Sequence, residues 1–175
     1  MTTQTWQIDS AHSGIHFSVR HLVIAKVRGQ FSRWTGALTV PDGDFSQASV
    51  DVTIDATSIE TGVADRDGHL VSADFFDVAT FPELTFVSTS VERDGDSWEI
   101  TGDLTIKDIT KEVVLKANLL GFAPGMRPGT FLTGWEATTT IKKSDFGLAG
   151  PAMLQKALGD DVALTINIEA GYKKG

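Results

Sequence analysis

The sequence predicts an all-β domain: one antiparallel sheet of about eight strands, closed as a barrel or folded as a sandwich, with one or two short helices. Three observations carry this. Apolar and polar residues alternate over short segments. Clusters of Gly, Pro and Asp separate those segments at short spacing. No long amphipathic helix alternates with the strands, as a parallel sheet would require. A barrel also removes exposed sheet edges, and eight strands leave an interior either filled by side chains or able to hold one ligand.

In chain order, Gly14 to Arg20 is the first half-buried strand, with Ile15, Phe17 and Val19 on the inner face and His21 continuing it. Leu22 to Lys26 loses the alternation and reads as a helical turn. A long second strand covers Val27 to Val40, with Gly29 and Gly36 as bulges. Pro41-Asp42-Gly43-Asp44 is a turn, because Pro presets φ and Gly accepts positive φ. Ala48 to Asp55 places Val50, Val52 and Ile54 inward. Leu84 to Glu92 and Trp98 to Ile106 form a hairpin about Asp94-Gly95. Lys107 to Lys111 is a turn, and Glu112 to Gly121 follows with Val113, Leu115, Ala117 and Leu119 in phase. Ala123 to Thr130 is a loop, Phe131 to Ile141 a strand, and Pro151 to Leu158 a helix. Gly159-Asp160-Asp161 turns into a last strand, Val162 to Ala170. One domain spans the 175 residues.

One stretch interrupts this pattern. Ser58 to Asp77 gathers Asp65, Arg66, Asp67 and His69, then turns apolar at Leu70 and aromatic at Phe75 and Phe76. A short helix from about Val63 to Ser72 fits it. Read blandly, it plugs a barrel end while its charges pair with one another. Read functionally, it contacts a ligand.

A net charge of −8 argues against nucleic acid or an anionic membrane surface as the main partner. The absence of cysteine removes disulfides and thiolate chemistry. No apolar run approaches the roughly 20 residues of a transmembrane span. The first residues lack a basic and an apolar region of signal-peptide type, so the expected location is cytoplasmic.

Catalytic signals are weak. Ser13 beside His12 lacks a nucleophile context, and there is neither a phosphate-binding glycine loop nor a dinucleotide fingerprint. His12, His16 and His21 lie close in sequence but lack the i, i+2 spacing that sets two imidazoles side by side on a strand, so no metal site is expected. The expectation is no catalytic residue, no cofactor and no metal. What stands out is the set of inner-face aromatics: Phe17, Phe31, Phe75, Phe76, Phe86, Trp135 and Phe146. They are either a packed core or the lining of a lumen for a long apolar ligand, where each buried methylene would contribute ~0.8 kcal/mol.

Ordered motifs add a resemblance. W-Q-I-D-S-A-H-S-G-I-H-F-S-V-R-H-L (Trp6 to Leu22), V-R-G-Q-F (Val27 to Phe31), S-I-E-T (Ser58 to Thr61), R-D-G-H-L (Arg66 to Leu70), D-F-F-D (Asp74 to Asp77), F-P-E-L-T-F (Phe81 to Phe86), G-D-L-T-I-K-D-I-T-K (Gly102 to Lys111) and S-D-F-G-L (Ser144 to Leu148) make the chain resemble the YceI-like family of polyisoprenoid-binding proteins, from about Trp6 to Ala170. The resemblance implies a lipocalin-like eight-stranded antiparallel β-barrel that binds a long isoprenoid or similar amphiphile, often as a homodimer, with no established catalysis. His12, His21, Arg66, Asp67 and His69 are the polar positions shared with the family. Many members carry a periplasmic signal peptide, a feature not seen here, and Asp108 stands where a Gly is usual. The expected ligand contacts are therefore His12, His21, Arg66 and His69 with the seven aromatics. Two rivals remain: an enzyme acting on a lipid head group through His69 with Asp67, and a scaffold with a filled core.

Overall fold

The computed structural model describes residues 2–175. It contains eleven strand segments: β1 (Thr3–Ile8), β2 (Gly14–His21), β3 (Ala25–Phe31), β4 (Trp34–Pro41), β5 (Ser49–Asp55), β6 (Ile59–Glu60), β7 (Glu83–Asp94), β8 (Ser97–Ile106), β9 (Ile109–Pro124), β10 (Thr130–Lys142) and β11 (Leu158–Lys173). Two short α-helices, α1 (Ala64–Leu70) and α2 (Ala152–Gln155), join them. Three pairs of consecutive segments, β1/β2, β3/β4 and β5/β6, are single strands broken by a short kink. The result is an eight-stranded antiparallel barrel, each strand hydrogen-bonded to its sequence neighbours.

Closure falls to β11. Its first half pairs with β2 (Leu164↔Phe17, Ile166↔Ile15) and its end with β1 (Ile8↔Ala170). Its other edge pairs with β10 along nearly the whole length. The register sets Ile15, Phe17, Val19 and His21 on the inner face, as the alternation predicts, with Arg20, Lys26 and Arg28 outside.

Several local expectations are corrected. Strand β1 did not stand out in the sequence, because only Trp6 and Ile8 mark its inner face before the kink at Asp9. Leu22 to Ile24 is a hairpin loop rather than a helical turn, since His21 pairs directly with Ala25. The long second strand breaks at Ser32-Arg33, where the Ser32 amide donates to the Ser58 carbonyl, and not at its glycines. The β7–β8 turn is Gly95-Asp96, with Asp94 paired to Ser97. The β8–β9 turn is only Lys107-Asp108, so Ile109 to Lys111 belong to a strand. Gly159 to Asp161 form a bulge within β11 rather than a turn before it. Helix α2 is shorter than expected.

The interior divides by side-chain size. In the lower half, Trp98 and Trp135 meet edge to face at 5.2 Å and Phe45 stacks on Trp135 at 5.9 Å. In the upper half the inner positions are mostly aliphatic, with Phe17, Phe31 and Phe76 in a chain of ring contacts at about 6 Å. Gly29 makes room for one of these rings: a Cβ there would lie 2.4 Å from the Phe17 ring and 2.7 Å from the Glu60 carbonyl. Gly29→Ala should therefore destabilise the protein by about 1–3 kcal/mol, the usual cost of overpacking. Urea denaturation with an unchanged m-value checks this.

Candidate functional site

Among the described residues, two cavities lie within the barrel. The lower one has a volume of about 140 Å³ and is lined by apolar side chains alone, among them Trp34, Phe86, Trp98 and Trp135. The upper one is larger, about 500 Å³. Ile15, Ile54, Leu104 and Leu164 line both, so the cavities lie end to end along the barrel axis. The larger volume is within the range of small-molecule sites. A scaffold with a filled core is not what this sequence folds into.

Polar groups enter only the upper cavity, at its mouth: His21, Thr61, Asp65, Arg66, His69 and Lys143. Helix α1 brings in three of them. Its fold depends on Thr61. The Asp67 carboxylate accepts from the Thr61 amide at 2.9 Å and from its hydroxyl. The Arg66 guanidinium donates to the Thr61 hydroxyl and carbonyl, both at 2.7 Å. Arg66 and Asp67 thus clasp one residue from two sides, which ties the Thr of S-I-E-T to the Arg-Asp of R-D-G-H-L. The expectation that these charges pair with each other is corrected: among the described residues Arg66 makes no ion pair, and its Nε and Nη2 donate to Thr61 instead.

His69 Nε2 hydrogen-bonds Asp74 at 2.7 Å, and its ring stands edge-on to Phe75 at 5.1 Å. The pairing of His69 with Asp67 on which a head-group enzyme would rest does not form. Phe75 and Phe76 follow at the end of the segment, and both line the upper cavity.

Nine of the eleven expected contact residues border the lumen. Phe17, His21, Phe31, Arg66, His69, Phe75 and Phe76 line the upper cavity; Phe86 and Trp135 line the lower one. The other two are corrections. His12 sits in the kink between β1 and β2 on the outer wall, its side chain 65% exposed. There its Nδ1 meets Asp9 at 2.7 Å and Glu169 at 4.0 Å. The Asp9 carboxylate raises the His12 pKa and is itself held below the usual carboxylate range, chiefly by this hydrogen bond. Phe146 is 1% exposed in the core beside the lumen, with no face on the cavity.

The main omission from the sequence reading is Lys143. It is 9% exposed, lines the upper cavity, and its ammonium has no hydrogen-bond or ion-pair partner among the described residues. Parity was the available signal: Lys143 continues the inner face of Trp135, Ala137, Thr139 and Ile141.

The sequence and the fold have counterparts elsewhere. The model of the YceI-like domain family matches residues 6–170. The chain belongs to the YceI-like family. It is 39% identical to Protein YceI of Escherichia coli O157:H7 over 170 residues, covering 95% of this chain and 85% of that one. The Campylobacter jejuni YCEI protein superposes with a TM-score of 0.76 at 32% identity, over 89% of this chain and 90% of that one. Burkholderia cenocepacia BcnA shares the fold at 22% identity, with a TM-score of 0.80 over 93% of this chain and 98% of that one. So does a polyisoprenoid binding domain from Saccharophagus degradans at 14% identity, with a TM-score of 0.71 over 97% of this chain and 98% of that one.

In this YceI-like barrel, burial pushes the Lys143 ammonium below the usual lysine range, and Asp160 opposes the shift without forming a bridge. A lowered folded-state pKa means that the unfolded chain binds more protons between that value and about 10.4, so stability rises with pH through this window. Below it the cost of burying the charge is felt in full. Among reductively ¹³C-methylated lysines followed by NMR, Lys143 should titrate at the lowest pH, and Lys142, raised by its bond to Asp161, at a higher one.

Proposed function

We propose that this protein binds and carries a long-chain isoprenoid lipid, of polyprenyl or isoprenoid-quinone type, with its tail along the barrel axis. The carrying observation is the asymmetry of the lumen: apolar from the Trp98–Trp135 pair up to Phe17 and Phe31, polar only at the α1 mouth. A tail gains about 0.8 kcal/mol per buried methylene, so it needs no specific contact. The head would accept hydrogen bonds from Lys143, whose unpartnered ammonium is the strongest free donor facing the cavity, with His21 and Arg66 beside it. That a fold neighbour is a polyisoprenoid binding domain supports the same reading.

Purified protein should release an amphiphile on lipid extraction, and added isoprenoid quinone should raise its melting temperature. If neither occurs, the reading fails. Phe76→Ala should lose more bound lipid in native mass spectrometry than Asp65→Ala, because Phe76 packs on the tail path while Asp65 lies at the exposed rim. Lys143→Met should weaken a quinone by about tenfold, the value of one charge-assisted hydrogen bond. It should leave a hydrocarbon without a head group unaffected. A homodimer belongs to the same proposal. Leu120, Phe122 and Phe131 are exposed and would suit an interface. Sedimentation velocity at micromolar concentration should then give twice the chain mass.

A further inference from the structure

The β2–β3 hairpin breaks the usual rules for a turn. Leu22, Val23 and Ile24 are 54%, 79% and 88% exposed. Leu22 and Val23 hold φ values of 52° and 68°. Hairpin loops place Gly, Asn or Asp at such angles, and a β-branched residue there is an outlier. Aliphatic side chains kept in a strained backbone and in water suggest a selected contact rather than a convenient turn.

Two further features point the same way. First, charge is unevenly distributed. Between Asp9 and Asp42 the chain has no acidic side chain, whereas Arg20, Lys26, Arg28 and Arg33 all fall there. Arg33 is bound to Asp55. Arg20, Lys26 and Arg28 are exposed on the outer face of the hairpin and form no ion pair among the described residues. The nearest acids on the β11 bulge are already engaged, Asp160 by Ser144 and Asp161 by Lys142. Second, the tip borders the lumen. The Leu22 amide donates to the Ala157 carbonyl at 2.7 Å, and His21, Leu154 and Ala157 line the upper cavity. Met153 on α2, 87% exposed, and Lys156 extend the apolar and the basic character along the same rim.

We infer that the Leu22–Ile24 tip inserts into the surface of an anionic lipid bilayer while Arg20, Lys26, Arg28 and Lys156 engage its head groups, setting the lumen mouth on the membrane. An apolar tip backed by cations is how a protein lies on such a surface. The whole-chain charge of −8 does not forbid this. Exposed charges further apart than a Debye length are screened, and a basic end on an acidic body orients the approach. The inference extends the proposed lipid carriage but is read without any isoprenoid.

The test uses the full chain with phosphatidylglycerol-rich vesicles and with pure phosphatidylcholine vesicles. The chain has no cysteine, so Ile24→Cys and, at the opposite barrel end, Met126→Cys each give one site for an environment-sensitive dye. The dye at position 24 should shift to the blue on anionic vesicles, and the dye at 126 should not. Lys26→Glu/Arg28→Glu should cut co-sedimentation by at least about tenfold, since each cation at such a surface contributes about a factor of five. Val23→Asn/Ile24→Ser should also release the protein; Asn tolerates positive φ, and unchanged melting temperature and isoprenoid retention show that the variant folds. The inference is overturned if the wild type stays in the supernatant, if both dyes shift alike, or if the apolar variant changes the protein's mass in solution instead of its vesicle binding. Lipid carriage would survive any of these results.

Discussion

Every feature of this molecule depends on the way β11 closes the barrel. One strand bonds β10 along one edge and divides its other edge between β2 and β1. This works because the first strand is kinked at Asp9–Ser13, so its two halves meet β11 at different heights. The kink is held locally: Asp9 accepts from the Ala11 amide, Ser13 exchanges hydrogen bonds with the Glu169 backbone, and His12 pairs with Asp9. The Asp-Ser-Ala-His-Ser motif thus shapes the barrel wall. His12 contributes to that geometry from outside the lumen.

Closure creates the lumen, and side-chain size decides how much of it stays open. Tryptophans and Phe45 fill the lower half to about 140 Å³. Above them, Val19, Val27, Ile59 and Val162 leave about 500 Å³. Such a space leaves its apolar lining without packing partners, at a cost in dispersion energy. An isoprenoid tail would offset that cost by occupying the space, which links the packing of the barrel to its proposed cargo.

The polar mouth shows how few groups remain to recognise a ligand. Arg66 and Asp67 are committed to Thr61, and His69 to Asp74. These bonds fix α1 across the barrel end and set Phe75 and Phe76 inward. Of the polar residues at this mouth, Lys143 is the buried one, and among the described residues its ammonium is unbonded, so it is the mouth group with most to gain from a ligand acceptor. The charge cluster that dominates the sequence is mainly architectural, and the residue best placed for recognition, Lys143, lies far beyond it in the chain.

Alternation by itself determined most of the strands, their inner faces and hence five of the expected lumen residues, Phe17, His21, Phe31, Phe86 and Trp135, because a period of two fixes which side chains share a face. Arg66, His69, Phe75 and Phe76 lie on α1 and the segment after it, where their clustering and the family motifs marked them. Turn chemistry located the hairpins at Asp94–Gly95 and Ala123–Thr130, the first with its centre shifted by one residue, but missed the one at Leu22–Ile24, whose aliphatic residues carry no turn signal. Three things were decided only by the tertiary structure. Strand β1 needed β4 and β11 as partners, having little apolar pattern of its own. The bonding of Arg66, Asp67 and His69 depended on where the chain brought Thr61 and Asp74, and neighbouring opposite charges in sequence gave no guide to it. The exposure of His12, the full burial of Phe146 and the placement of Lys143 followed from closure. Alternation says which face a residue occupies; only the closed ring says whether that face meets solvent, packed core or open lumen.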